Sequence, residues 1–265
     1  MNILSPLGYA SFLESTYPIT DYVPPVELQS EFTQRVVNSE LQARKDPKHY
    51  QIDRTLSEVG AVLGVDEFML GRSLRDKSIV DLCAGASSVA SELLECGASE
   101  AYVFDMNAVN MEGNPLAEEC RIKNDLLDDV PDHLRRKFGA TIATYGLPYW
   151  ANRYGDHETA IHNQLTMTAL DGLAINGPFI GMIALADEYS EWHKVPPLDR
   201  LRLKIDYELM LAVKKYTDAG WTAQFIDRFE TNPDAVMEYT LVMYGPGYSG
   251  DDVVPYEYSV KGKIS

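Results

Sequence analysis

Apolar and polar positions divide the chain into a helical first part and a longer part in which strands and helices alternate. Residues 26–44 and 53–63 carry apolar side chains three to four positions apart, which is the spacing of an amphipathic helix. Gly64 follows the second segment as a natural helix end, and residues 66–75 fit one more short helical turn. The pattern therefore predicts an extended arm followed by helices over the first 75 residues.

From Lys77 onward, short apolar segments alternate with amphipathic ones. The predicted strands begin at Ser78 and then cover residues 101–105, 119–123, 140–146, 179–186, 221–230 and 236–245. The predicted helices cover residues 86–97, 157–174 and 199–219. Alternation implies a parallel sheet with right-handed crossovers, and two final strands without a helix between them imply that the last one returns antiparallel. The prediction is an α/β fold with a seven-stranded, mostly parallel sheet and helices on both faces.

Composition narrows the class of protein. Apolar residues make up 45% of the chain and charged residues 24%, as in an average soluble globular protein. No apolar run approaches the ~18–20 residues that cross a bilayer, and the first residues lack a secretory pattern. Cys83, Cys96 and Cys120 form no C-x-x-C pair, which favours small buried thiols in a reducing compartment. We therefore expect a cytoplasmic protein with no membrane contact.

The charge balance favours some partners over others. The formal net charge is −17 and the sequence pI is about 4.6, so the surface repels phosphate backbones. A small-molecule or protein substrate is favoured over nucleic acid, although a local basic cleft remains an alternative. The 5 histidines are scattered and show no H-E-x-x-H spacing, so no metal site is predicted.

A candidate ligand site follows the first two predicted strands, because ligands of open parallel sheets bind beyond the carboxyl ends of the strands. Asp81 is followed by the small residues Cys83, Ala84 and Gly85, which let a ligand approach the backbone and the free N–H groups of the next helix. Asp105 ends the second strand, 20 positions after Gly85. That spacing suits an acid that reaches ribose hydroxyls.

Residues after the following strands complete a pocket for adenosine. Met106 is placed to cover one face of an adenine ring. Asn124 and Asp125 follow the third strand, where a carboxylate can accept a hydrogen bond from the exocyclic amine of adenine. Tyr145 follows the fourth strand and is a further candidate contact for the bound nucleoside.

The run IVDLCAGAS and the acids that follow it resemble the class I S-adenosylmethionine (SAM)-dependent methyltransferase family over roughly residues 75–247. The first motif of that family is a strand ending in an acid, then small residues up to a Gly-x-Gly turn. The resemblance implies a Rossmann-like fold, SAM as cofactor and S-adenosylhomocysteine (SAH) as product. It also implies that Asp81 and Gly85 line the methionine part, that Asp105 holds the ribose, and that Asp125 reads adenine.

Two positions depart from the family pattern. Cys83 and Ser87 stand where glycines are common, which is tolerated if both have negative φ angles. Ser87 or Ser88 can instead cap the helix that follows. A nicotinamide nucleotide is the alternative cofactor, although such proteins usually carry all three glycines near the start of the chain.

Catalytic candidates are sought after the fourth and fifth strands. Methyl transfer needs an acceptor in line with the methyl group, about 3 Å away, and a general base helps only for a hydroxyl or an acidic carbon. His157 is the first candidate base, His193 the second, and Tyr149 a third catalytic candidate. The segments that carry them are aromatic, which favours a planar or apolar small molecule as methyl acceptor.

Two other functions remain open. Gly146-Leu147-Pro148-Tyr149 loosely resembles the Asn/Asp-Pro-Pro-Tyr signature of amino-group methyltransferases, but Gly146 has no side chain to bind a target nitrogen. A SAM-fold protein that does not methylate is the other alternative. In the leading interpretation, residues 1–75 form an arm and helical lid, and residues 76–265 form the SAM-binding core.

Overall fold

The computed structural model describes most of the segment that was predicted to form the sheet. The described residues are 34, 54–106, 111–144, 157–180, 194–205, 207–230, 238–254 and 259–262. The predicted helix over residues 26–44 lies outside them except for Gln34, and the proposed lid of residues 1–75 therefore stays a prediction. No helix among the described residues is long and apolar enough to cross a bilayer.

An eight-stranded mixed sheet forms the centre of the described structure, in the order β3-β2-β1-β4-β5-β7-β6-β8. The strands are β1 (Ser78–Leu82), β2 (Glu100–Asp105), β3 (Arg121–Lys123), β4 (Phe138–Thr144), β5 (Thr168–Ile180), β6 (Thr222–Asp227), β7 (Glu238–Tyr244) and β8 (Ser259–Gly262). Neighbours from β3 to β5 pair in parallel, whereas β7 pairs antiparallel with β5 and β6. The predicted α/β sheet is confirmed, and the antiparallel β8 beside β6 adds an eighth strand to the predicted seven.

Two short helices precede the sheet and belong to its core. They are α1 (Leu56–Leu63) and α2 (Glu67–Ser73). Thr55 and Glu58 form a capping box at the start of α1, and Gly64 ends it with φ 73°, a left-handed angle that glycine adopts without strain. Leu63 and Leu70 are fully buried in the same apolar cluster as Ile79 of β1. The predicted helix end at Gly64 is thus confirmed.

The remaining described α-helices are α3 (Val89–Glu95), α4 (His157–Met167), α5 (Pro197–Lys204) and α6 (Tyr207–Asp218). Side chains of α1, α2 and α3 pack on one face of the sheet, and those of α4, α5 and α6 pack on the other. Because both faces are covered, every position of β7 is buried. The three-layer arrangement leaves the carboxyl edge of the parallel strands as the place for a ligand.

The boundary between α4 and β5 differs from the prediction. The predicted helix over residues 157–174 ends at Met167, and the strand predicted over 179–186 runs from Thr168 to Ile180. Pairing with β4 on one side and β7 on the other outweighs the local helical spacing of residues 168–174. Asn176-Gly177-Pro178 does interrupt regular structure, but as a cis peptide and a register shift inside the strand.

The predicted helix over residues 199–219 is also divided. Its residues form α5 and α6, which are separated between Lys204 and Tyr207. The predicted inward face is confirmed, because Leu201, Ile205, Leu209 and Ala212 are each at most 3% exposed. The continuous apolar spacing predicts the buried face that the two helices share, but it does not predict the break between them.

Candidate functional site

Acidic residues follow the first three parallel strands and meet at one edge of the sheet. Asp81 is the penultimate residue of β1, Asp105 ends β2, and Asn124 and Asp125 follow β3 directly. Because β2 lies between β3 and β1, the acids occupy neighbouring strand ends. Asp81 is fully buried and Asp105 is 6% exposed, so both act in a medium where charges interact more strongly than in water.

The turn between β1 and α3 is held against the end of β2. The Ala84 N–H donates to the Phe104 carbonyl (3.1 Å), and the Gly85 N–H donates to Oδ2 of Asp105 (3.1 Å). Gly85 has φ 53° and Cys83 has φ 54°, whereas Ser87 is outside the positive range. The condition under which Cys83 would replace glycine without strain, a negative φ, is therefore not met. The tight turn imposes a left-handed conformation there, which disfavours any side chain with a Cβ.

The pKa of the Cys83 thiol reflects its burial and the charged groups around it. The pKa of Cys83 is raised to about 12, mainly by burial and also by the charges of Asp105, Asp81 and Asp125, whereas the charge of Arg54 lowers it. A thiol with this pKa stays protonated at neutral pH, which excludes Cys83 as a nucleophile under those conditions. The three carboxylates therefore all lie close enough to Cys83 to disfavour a negative charge on its thiol.

Arg54 is the main contact that sequence reasoning missed. Its Nη2 lies 3.2 Å and 3.3 Å from the two carboxylate oxygens of Asp81 and donates to the Cys83 carbonyl at 2.9 Å. Its Nη1 donates to the carbonyl and the hydroxyl of Thr144 at the end of β4. Burial raises the pKa of Asp81, and the Arg54 charge opposes that rise. An arginine just before a helix carries no local signal of such a contact, so only the fold reveals it.

Asn114 is a second contact without a sequence signal. Its Nδ2 donates to the carbonyls of Gly85 (3.1 Å) and Ser87 (2.8 Å), and its Oδ1 accepts from the Leu116 N–H. Asn114 is 4% exposed, so these hydrogen bonds form away from solvent. The side chain therefore holds the turn through hydrogen bonds that add to the one accepted by Asp105. Ser87 also contributes, because its Oγ accepts from the N–H of Val89, the first residue of α3, at 3.2 Å, whereas Ser88 at the N-cap position makes no side-chain capping hydrogen bond.

The candidate adenine contacts lie beside Asp105. The Asn124 N–H donates to the Asp105 carbonyl (3.2 Å), so β2 and β3 remain paired up to the site. Asp125 accepts from the Leu127 N–H through Oδ1 (2.9 Å), which fixes the carboxylate direction at the strand end. Met106 is 64% exposed, and an apolar side chain with that exposure at a strand end is available to cover a ligand.

The candidate catalytic residues cannot be placed with the same detail. His157 begins α4, but its side chain lies outside the described residues. Tyr145, Tyr149 and His193 lie outside the described residues altogether. Their roles stay predictions.

A second buried aspartate lies at the end of β6. Asp227 accepts from Nε of Arg200 (2.5 Å) and from Nζ of Lys204 (2.6 Å), both on α5. Lys204 also donates to the Glu238 carbonyl at 3.2 Å. Burial lowers the pKa of Lys204 to about 8, and the Asp227 charge opposes that shift. This cluster fastens α5 to the β6–β7 pair.

Comparisons with known proteins give no sequence match and only distant structural similarity. No protein-family model matches the sequence, and no curated protein sequence matches it. A TehB-like SAM-dependent methyltransferase from Corynebacterium glutamicum is 13% identical, covering 80% of this chain and 98% of its own, with TM-score 0.45. A SAM-dependent methyltransferase from Mesorhizobium loti is 11% identical, covering 65% and 92%, with TM-score 0.44. The 1,6-didemethyltoxoflavin-N1-methyltransferase of Burkholderia thailandensis is 13% identical, covering 91% and 90%, with TM-score 0.43.

The order of the strands decides the fold. Five parallel strands in the order β3-β2-β1-β4-β5 are followed by an antiparallel β7 that is inserted between β5 and β6. The chain has the fold of the class I SAM-dependent methyltransferases. In this fold the switch in strand order lies between β1 and β4, and the acids described above lie on the β1 side of it.

Proposed function

We propose that this protein binds SAM at the carboxyl edge of β1, β2 and β3 and transfers its methyl group to a small molecule. The observation that carries the proposal is that Asp81, Asp105 and Asp125 lie at or just after the ends of the adjacent strands β1, β2 and β3. A positively charged sulfonium is attracted to such a site, and Asp105 offers a carboxylate where ribose hydroxyls are expected. The chemistry of these donors and acceptors therefore fits the cofactor.

The part of the protein in the reaction is mainly to bind and orient. When bound, SAM supplies an activated methyl group that an in-line nucleophile can accept. Gly85 is fixed by Asp105 and Asn114, so its backbone is held ready for close approach by a ligand. His157, His193 and Tyr149 are proposed to contact the acceptor, with His157 as the first choice for a base.

The net charge of the protein is the reason why we propose a small molecule as the methyl acceptor. A net charge of −17 opposes binding of a phosphate backbone. An amino-group methyltransferase acting on nucleic acid and a SAM-fold protein that does not methylate remain the competing functions. Single-stranded DNA or RNA that binds in a salt-dependent way favours the first. SAM binding without turnover across a broad acceptor panel favours the second.

Cofactor choice can be tested by thermal denaturation. A ligand at 100 times its dissociation constant stabilises the folded state by about 2.7 kcal/mol, which raises the melting temperature of a protein of this size by roughly 5–10 °C. SAH is expected to produce such a shift and NADH none. A shift with NADH and none with SAH contradicts the proposal.

The role of Asp105 is tested by Asp105→Asn. Asparagine can still accept from the Gly85 N–H and so preserves the turn, but it lacks the negative charge. SAH affinity measured by calorimetry is expected to fall about ten-fold or more, with little change in melting temperature. Asp171→Asn, at an exposed position of β5, is the matched control and is expected to bind SAH like the wild type.

A further inference from the structure

The segment that carries the candidate adenine contact has no helix of its own. Parallel strands are usually joined through an α-helix that covers the sheet. Residues 124–137, all of which the structure describes, instead form only a 3₁₀ turn at Asp132–Leu134 between β3 and β4. Asp125 is the second residue of this segment. A carboxylate on such a loop selects one ligand over another only if further contacts hold it in a fixed direction.

A buried asparagine on α4 supplies such contacts. The Asn163 Nδ2 donates to the carbonyl of Leu126 at 2.7 Å and to that of Asp128 at 2.8 Å. Asn163 is only 6% exposed, so both hydrogen bonds form away from solvent. Its helix is firmly seated, because Ile161 and Leu165 are fully buried in the same apolar cluster as the Leu126 side chain. The loop is therefore held by a helix that packs directly on the sheet.

One peptide group joins Asn163 to the carboxylate of Asp125. The Leu126 carbonyl accepts from Asn163. The N–H of the same peptide belongs to Leu127 and donates to Oδ1 of Asp125 at 2.9 Å. In a planar trans peptide the carbonyl and the N–H point in opposite directions, so the direction of one sets the direction of the other. The Asp128 N–H closes the turn by donating to the Asp125 carbonyl at 3.2 Å. Asn163 therefore acts on Asp125 through a chain of two hydrogen bonds.

The same chain leaves one carboxylate oxygen for a ligand. Oδ1 of Asp125 accepts from the Leu127 N–H, whereas Oδ2 makes no hydrogen bond to any residue that the structure describes. A carboxylate oxygen in a fixed direction accepts from the exocyclic amine of adenosine and repels the oxygen that inosine carries at the same ring position. The geometry of the loop therefore bears on which base is bound, and not on the ribose or the sulfur.

We propose that Asn163 is a positioning residue that makes the site selective for adenosine, by orienting the peptide that holds the Asp125 carboxylate. The inference rests on the proposed SAM function. Asn163 acts through Asp125 and not by contact with the ligand. Its loss is expected to weaken discrimination between bases and to leave the contacts with the rest of the cofactor unchanged.

Two ligands that differ in the base alone test the proposal. SAH carries the exocyclic amine, whereas S-inosylhomocysteine carries an oxygen there and has the same ribose, sulfur and amino acid. Calorimetric titration of the wild type is expected to show that SAH binds at least about ten-fold tighter. In Asn163→Ala this ratio is expected to fall below about three, because the SAH affinity drops while the affinity for S-inosylhomocysteine is nearly unchanged.

Gln164→Ala is the matched control. Gln164 is the next residue of α4, is fully buried, and donates through Nε2 to the Ile175 carbonyl of β5 at 3.4 Å. The variant removes a buried side-chain amide from the same helix without touching the loop after β3. It is expected to keep the wild-type ratio of the two affinities, even where its melting temperature falls.

A variant of Asp125 tests the same chain without altering the buried helix. In Asp125→Asn the amide oxygen is expected to accept from the Leu127 N–H, which turns the amide nitrogen toward the ligand. An N–H donor there fits the oxygen of inosine, so this variant is expected to bind S-inosylhomocysteine about three-fold or more tighter than SAH. Adding Asn163→Ala is expected to abolish the reversed preference, because the peptide that orients the amide is no longer fixed.

Each outcome bears on one claim. If folded Asn163→Ala keeps the wild-type ratio, or if Gln164→Ala lowers it equally, Asn163 has no positioning role and the SAM function stands. If Asn163→Ala does not fold, Asp125→Asn decides, because a retained preference for SAH contradicts the proposal. A wild type that binds both nucleosides equally also contradicts it, whereas one that binds neither contradicts the proposed function itself.

Discussion

Two buried aspartates at the carboxyl ends of parallel strands meet their cations in different ways. Asp227 at the end of β6 is 2.5 Å from Arg200 and 2.6 Å from Lys204, and both cations belong to α5. Asp81 in β1 is 3.2 Å from Arg54, which lies outside the sheet just before α1. The tight double contact fastens a helix to the sheet. The longer contact to one cation lies beside the turn at Cys83, where other acids converge, and so suits a site that admits a ligand.

The largest expected effect comes from breaking the cluster at Asp227. Asp227→Ala leaves Arg200 and Lys204 buried without their shared carboxylate, so the free energy of unfolding is expected to fall by about 3–5 kcal/mol. Urea denaturation measures the change. Asp218→Ala, in the exposed pair with Lys214, is the control and is expected to lose at most about 0.5 kcal/mol. A loss at Asp227 no greater than at Asp218 contradicts the structural role.

Breaking the ion pair between Arg54 and Asp81 is expected to lower the free energy of unfolding by less, and the loss is expected to depend on pH. Arg54→Gln is expected to lower the free energy of unfolding by about 2 kcal/mol at pH 7. Burial already raises the pKa of Asp81 above its ordinary 3.8, and loss of Arg54 raises it further. A raised carboxyl pKa favours the folded state only while the group is protonated, so the defect of the variant grows as pH rises above about 4.

Urea denaturation at pH 4.5 and pH 7 tests whether the defect of Arg54→Gln grows with pH. The difference between wild type and Arg54→Gln is expected to be smaller at the lower pH. If the two proteins differ more in free energy of unfolding at pH 4.5 than at pH 7, the buried Asp81 carboxylate is not the group that the substitution destabilises.

A smaller effect is expected from the left-handed turn beside Asp81. The free energy of unfolding of Cys83→Gly is expected to exceed that of Cys83→Ala by about 1 kcal/mol. The φ angle of 54° at this position strains any residue with a Cβ, and glycine has none. Both substitutions remove the thiol, so their difference isolates the backbone. At Cys96, with φ −77°, the order should reverse. Thermal denaturation of the four variants decides it, and alanine equal to or better than glycine at position 83 contradicts the strained turn.

The smallest effect concerns the reactivity of Cys83. Its pKa is raised to about 12, so its alkylation should be slow at pH 8 and should still be accelerating above pH 10. Iodoacetamide labelling followed by mass spectrometry, in a Cys96→Ser and Cys120→Ser background, measures the rate. A rate that levels off near pH 9 shows that burial and the surrounding carboxylates do not raise the pKa of the thiol.

The contrast between the two aspartates also shows what the sequence can predict. The acids after β1, β2 and β3 follow apolar strands, and position at a strand end is a local property, so their meeting could be inferred from order alone. Both Arg54 and Asn114 reach the turn from other elements, and no periodicity marks them. Their contacts depend on how α1 and the segment before β3 pack, which is a property of the complete fold.

The errors in the predicted elements likewise arise where contacts distant in sequence determine the structure. Residues 168–174 show helical spacing but form part of β5, because β4 and β7 offer backbone partners on both sides. Strand β8 is only Ser259–Gly262 and carries little apolar pattern, so its pairing with β6 is visible only in the structure. The sequence left the sign of φ at Cys83 open, because side-chain type alone does not fix the course of a tight turn.

Calorimetric titration of the wild-type protein and Asp105→Asn with SAH tests the central claim most directly. Saturable binding by the wild type, with affinity reduced about ten-fold or more in Asp105→Asn, is the predicted result. Binding of equal strength in both proteins, or no heat of binding in the wild type, contradicts a SAM site formed by the acids at the ends of β1, β2 and β3.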